Sequence, residues 1–184
     1  MSGHSKWAQI KHQKAVTDAK RGKIFGKLAR AIAIAARDKG ADPTKNSTLA
    51  SAIQKAREVN MPNDNIDRAI KKGAGKQASG EAALQEFIYE AYGPGGVAIV
   101  ITGITDNNNR TSNELKHLIA KNGGKWANPG SVLWAFEKRG GEWAPQPYSG
   151  IELSLEDTKA LYALMEAIDD HDDVQDVYAN NKEQ

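Results

Sequence analysis

Cysteine is absent from all 184 residues. That removes disulfides, thiolate nucleophiles and cysteine-based metal sites together, and it is compatible with a reducing compartment. Long apolar runs are absent too, since no stretch approaches the ~20 residues that span a bilayer. The opening segment lacks the apolar stretch of a secretory signal. It is Lys-rich, unlike the Arg- and Ser-rich presequences of organelles. The arm is therefore expected to belong to the working protein, in the cytoplasm. Acid is scarce at this end, where Asp18 is the only Asp or Glu before Asp38.

What the chain does have is charge of two signs in two places. Residues 1–76 carry 17 Lys and Arg against 6 Asp and Glu, a net +11. Residues 77–184 carry 8 against 17, a net −9, and the two add to the chain's +2. Such a split implies a basic module that meets a polyanion, attached to an acidic module that does not. Apolar residues make up 40% of the chain, enough for a core, though a thin one if divided between two lobes.

Periodicity predicts three helices in the basic part. The first is placed at about Thr17 to Arg37. At about 100° per residue, Ile24, Phe25, Leu28, Ile32 and Ala36 share one arc. Lys20, Lys23, Lys27, Arg30 and Arg37 share the opposite one, with Ile34 the apolar intruder. Gly22 and Gly26 weaken its first turns. Gly40-Ala41-Asp42-Pro43 ends it. The second helix lies in "NSTLASAIQKAREVN", with Asn46 or Ser47 as cap. The third lies in "NDNIDRAIKKG", with Asn63 as cap and Gly73 just past its end.

Small polar residues at 73–80 then read as a linker. The expected organisation is a basic helical domain with its arm at 1–72, the linker at 73–80, and an acidic α+β domain at 81–184. In the second domain the order of predicted elements is ββαββαβ. Strands are placed at "LQEFIYEAY" and "VAIVITGI" across a "GPGG" turn, a helix at Asn109 to Lys121, and a strand at "SVLWAFEKRG". That strand has Val132, Trp134 and Phe136 on one face. One proline-interrupted edge strand is placed at "GGEWAPQPYSGIELS", a helix at Leu155 to Asp169, and a last strand at "DVQDVYAN". Both helices are expected on one face of a largely antiparallel sheet.

Few motifs carry chemistry. His4 and His12 match no metal spacing. "DDHDDVQD" lacks the alternation and glycine of a calcium loop, and reads as an exposed acidic loop. No nucleophile–base arrangement stands out, so neither catalysis, cofactor nor metal is expected. Basic residues with an aromatic among them are a different matter. Lys6, Trp7, Lys11 and Lys14 on the arm, with Lys20, Arg21, Lys23, Lys27 and Arg30 on the first helix, suit phosphate contact with base stacking. Trp7 is also a candidate for pinning the arm onto the bundle. Arg110 stands at the start of a helix, against the dipole preference, and calls for a carboxylate or phosphate partner.

The blocks "GHSKWAQIKHQKAVTDAKRGKIFGKL", "MPNDNIDRAIKKG", "YEAYGPGGVAIVI", "TDNNNRT", "GSVLWAFEKRG" and "DDVQDVY" resemble the YebC/PmpR family over nearly the whole chain. Its members are described as probable transcriptional regulators, with organellar relatives that activate translation and bacterial ones connected with relieving ribosome stalling. The resemblance implies a helical domain followed by a ferredoxin-like α+β domain. It also implies a third lobe after "FEKRG", which this chain lacks, and an acidic residue where Thr102-Gly103 stand. The expected function is a nucleic-acid-binding regulator of gene expression acting on DNA. The alternatives are a ribosome-associated translation factor binding ribosomal RNA or tRNA, and an adaptor for an acidic protein partner; the acidic α+β domain is expected to serve as a scaffold or a surface for a protein partner.

Overall fold

The computed structural model describes residues 18–75 and 83–182. The arm with Lys6, Trp7, Lys11 and Lys14, and most of the linker, lie outside the described residues. The protein is α+β. Two compact units are present, a helical one and a mixed one, with 104–107 grouped with the first.

The helical unit holds α1 (Asp18–Lys39), α2 (Ser47–Glu58) and α3 (Asn63–Ala74). Their apolar stripes meet through Ile32 and Ala36, Leu49 and Ile53, and Ile66 and Ala69. Buried Asn46 joins the first two helices. Its Oδ1 accepts the Leu49 N–H at 3.0 Å, while its Nδ2 donates to the carbonyls of Ala35 at 2.8 Å and Gly40 at 2.7 Å. One side chain thus caps α2 and satisfies carbonyls at the end of α1.

Two expectations for α3 are corrected. The helix starts at Asn63, and Pro62 occupies the cap position without a side-chain bond. Proline has no side-chain oxygen to accept an N–H of the first turn, so no side-chain cap forms. Gly73 lies inside the helix, and Gly75 caps it. A Cβ on Gly73 would stand 2.0 Å from the Ala33 carbonyl oxygen. The glycine is there to let α3 lie against α1, not to end the helix.

The mixed unit holds β1 (Gln85–Tyr92), β2 (Ala98–Thr105), α4 (Asn108–Lys121), β3 (Lys125–Ala127), β4 (Phe136–Arg139), β5 (Glu142–Pro145), α5 (Leu155–Asp169) and β6 (Val174–Ala179). The main sheet has the order β3-β1-β2-β6, and β4-β5 form a separate hairpin. Glu90 pairs with Ala127 across β1 and β3, and Val100 with Tyr178 across β2 and β6, both antiparallel. Ile99 and Ile101 pack with Leu115 of α4 and Leu161 and Leu164 of α5. Ala98 and Val100 pack with Val132, Ala135 and Phe136 on the other face. Burial on both sides explains why β2 reads as a continuous apolar run.

The stretch before β4 differs from the expected strand. Leu133–Ala135 form a 3₁₀ turn, with Val132, Ala135 and Phe136 buried and Trp134 pointing out. The cause is Glu90, itself buried, on β1. Its carboxylate accepts the N–H groups of Gly130, Val132 (2.7 Å) and Leu133 (2.9 Å), so these cannot join a strand ladder. The expected edge strand likewise shrinks to β5, because the chain turns at Gln146–Ser149, through Pro147. Only Ile151 bridges onward, to Asn181. The short β3 is an addition to the predicted order. At Gly103 a Cβ would stand 2.2 Å from both the Phe87 ring and the Asp173 carbonyl oxygen, so an acidic side chain does not fit there.

Candidate nucleic-acid interface

α1 rises about 1.5 Å per residue, so Lys20 to Arg30 span roughly 15 Å along it. Its apolar side is fixed by the bundle, where Leu28 and Ile32 join the core. The opposite side carries Lys20, Lys23, Lys27 and Arg30. Lys20 and Lys23 are exposed, while Lys27 and Arg30 are half-buried. Arg21 lies off this stripe, with its guanidinium 3.7 Å from Asp18. Ile34, on the same stripe, is buried, which closes the accessible stripe at Arg30. Arg37 beyond it is occupied, 2.7 Å from the Asp38 carboxylate. Lys20, Lys23, Lys27 and Arg30 thus form one short row of single sign. A row held rigidly on a helix suits a line of phosphates better than a single small anion.

Arg110 lies elsewhere and has an internal partner. Its Nη2 is 2.7 Å from Asp173 Oδ2, and the buried Thr111 hydroxyl donates to the same oxygen at 2.6 Å. Asp173 is buried, which corrects the expectation of a wholly exposed acidic loop. The Asp173 N–H donates to His171 Nδ1 at 3.2 Å, so that nitrogen is an acceptor. The proton then sits on Nε2, which faces Glu114 Oε2 at 3.0 Å. Glu114, His171 and Asp173 bring ligand atoms within 4.8 Å of one another, as a metal site would. However, the guanidinium beside Asp173 opposes a cation, and the His171 lone pair is already used. The cluster is a matched hydrogen-bond network that ties α4 to the loop before β6. The sequence signals the oddity of Arg110, but not its partner 63 residues away, which no periodicity marks.

Among the described residues no helix is long and apolar enough to cross a membrane.

A family model described as the TACO1/YebC protein N-terminal domain matches residues 5–76, and one described as the TACO1/YebC second and third domain matches residues 84–146. A "Probable transcriptional regulatory protein" of Fervidobacterium nodosum is 56% identical over 140 residues, covering 76% of this chain and 55% of that protein. The chain thus matches about half the length of that relative. A protein of the same name from Natranaerobius thermophilus is 39% identical over 241 aligned positions, covering 98% of this chain and 96% of the relative. That alignment is longer than the chain, so the relative carries residues that are missing here. The crystal structure of a conserved hypothetical protein, Aq1575 from Aquifex aeolicus, superposes with a TM-score of 0.83 at 34% identity, covering 97% of each chain. With consecutive family models along most of its length and a relative aligned from end to end, the chain belongs to the TACO1/YebC family.

Proposed function

We propose that the protein is a non-enzymatic regulator of gene expression that binds nucleic acid through its basic arm and the cationic row of α1. The observation that carries this reading is the row itself, Lys20, Lys23, Lys27 and Arg30 opposite the packed side of α1. Charged helix faces that are merely solvated usually mix signs, and this one does not. The names of the Fervidobacterium and Natranaerobius relatives favour transcription as the process regulated. In this reading the arm's Lys6, Lys11 and Lys14 add their charges to those of the helix. Trp7 supplies a base-stacking surface.

The test is the salt dependence of duplex binding. With Lys6, Lys11, Lys14, Lys20, Lys23 and Lys27 on about six phosphates, log Kd against log salt has a slope near 5, a roughly thousandfold loss between 50 and 200 mM. Changing Lys20, Lys23 and Lys27 to Gln leaves folding intact and lowers the slope by about 3, equally for all sequences. A triple variant that binds DNA, RNA and ribosomes as the parent does would overturn the reading. Parallel titrations separate the targets. Preference for duplex DNA supports transcription, preference for ribosomal RNA supports a translation factor, and binding only to an acidic protein supports an adaptor.

A further inference from the structure

The face of the main sheet away from α4 and α5 is only half covered. Over β2 and β6 it carries Val132, Ala135 and Phe136. Over β1 the described residues leave it partly exposed. Ile88 is 45% exposed, Tyr92 36% and Trp134 63%. These rings are not loose. Trp134 Nε1 donates to the Ser131 carbonyl at 2.9 Å, and the Tyr92 hydroxyl donates to the same oxygen at 3.3 Å. Glu90, between Ile88 and Tyr92 on β1, holds the loop by three main-chain N–H groups. The indole therefore spends its one polar group inside the protein, while the residue as a whole stays exposed.

Local charge says what such a face would meet. Arg139 is paired with Glu137 and Lys138 lies over the Trp143 ring, so the cation offered beside Tyr92 is Lys125. Lys125 is exposed and pairs directly with Tyr92 across β1 and β3, which puts both side chains on the same face. Aromatic faces beside cations are the recurring means of holding single-stranded nucleic acid, because every base has a π-face. A duplex keeps those faces in its own stack. A purely apolar occupant would gain nothing from the lysine.

We propose that Trp134 and Tyr92, with Lys125 beside them, form a platform on which an unpaired base of a single strand stacks. The inference rests on the reading of the protein as a nucleic-acid-binding regulator. It adds the ligand class, and it assigns the acidic unit a contact of its own.

The test uses the full-length protein and fluorescein-labelled twelve-nucleotide oligo(dT) and oligo(rU). Trp134→Ala is expected to weaken binding roughly tenfold or more with an unchanged salt slope, as loss of stacking does. Trp134→Phe, which keeps a ring, should recover most of the loss. Lys125→Gln should lower the salt slope by about 1. The triple Gln variant of α1 is measured alongside, on the same oligonucleotides and on duplex. Should Trp134→Ala bind single strands as the parent does while the α1 variant loses affinity, the platform is overturned and the α1 reading stands. Should the α1 variant bind duplex as the parent does while Trp134→Ala loses single-strand affinity, the α1 reading fails and the platform stands. A parent that binds no single strand overturns the platform. So does a dimer abolished by Trp134→Ala without any change in oligonucleotide affinity, which would identify the occupant as a second copy.

Discussion

Tyr178 shows how one side chain makes stability depend on pH. It is buried between β2 and the 3₁₀ turn. Burial first, and then the carboxylates of Asp176 and Glu142, push its phenol well above the ordinary value of 10.0, against hydrogen bonds with the Trp143 backbone and the Thr102 side chain. The folded state therefore holds the phenol proton more tightly than the unfolded chain does. Its contribution is complete below pH 10 and is lost as pH rises toward the folded value. Urea midpoints at pH 8 and pH 10.5 should fall more steeply for the parent than for Tyr178→Phe, even though the variant loses about 1 kcal/mol at pH 8 with the hydroxyl's bonds. Parallel declines would show that another group controls the alkaline limb. At this scale the sequence was informative where a residue broke a local rule, as Arg110 does at its helix start. It was silent where the answer lay across the fold. Asp173 looks like any acid in "DDHDD", and only the positions of Arg110 and Thr111 make it a buried acceptor.

Helices were the most legible elements, because burying one side leaves a 3.6-residue period behind. The two glycines that matter most in them have opposite roles. A Cβ on Gly26 of α1 meets nothing within 4 Å, whereas one on Gly73 of α3 meets the Ala33 backbone. Gly26→Ala should therefore raise stability by up to about 1 kcal/mol through helix propensity. Gly73→Ala should lower it by about 1–3 kcal/mol, by forcing α1 and α3 apart. Chemical denaturation of both variants checks the pair, and equal signs would refute the close-approach explanation. Sequence alone took Gly73 for a stop, since a glycine near a helix end usually is one. Residues 131–135 were misread for a related reason. Their alternation suits a strand, yet Glu90 takes the N–H groups of Val132 and Leu133, and a competitor 40 or more residues away leaves no local trace.

The charge split, legible from composition alone, has its counterpart in cores drawn from separate stretches of the chain. The helical core runs through residues 32–69. The cores on the two faces of the main sheet lie entirely within residues 87–179. With the junction after α3, the fragment 80–184 should unfold in one cooperative step by itself. The β4-β5 hairpin still closes over the sheet in this chain, without the additional residues of its longer relative. A broad melt with persistent binding of a hydrophobic dye would mean that the shorter form depends on its helical partner. The third lobe could not be read for function from this sequence, because its residues are not in it.

Glu90 has an evolutionary consequence. It grips its loop through the main chain, and every non-proline residue offers the same N–H. Apart from Gly130, whose φ of 85° favours glycine, the loop's conformation asks little of the letters at its outward positions. Trp134 can therefore mutate while the scaffold that displays it is inherited unchanged. Lineages could revise what this surface touches without first having to reinvent how it is held.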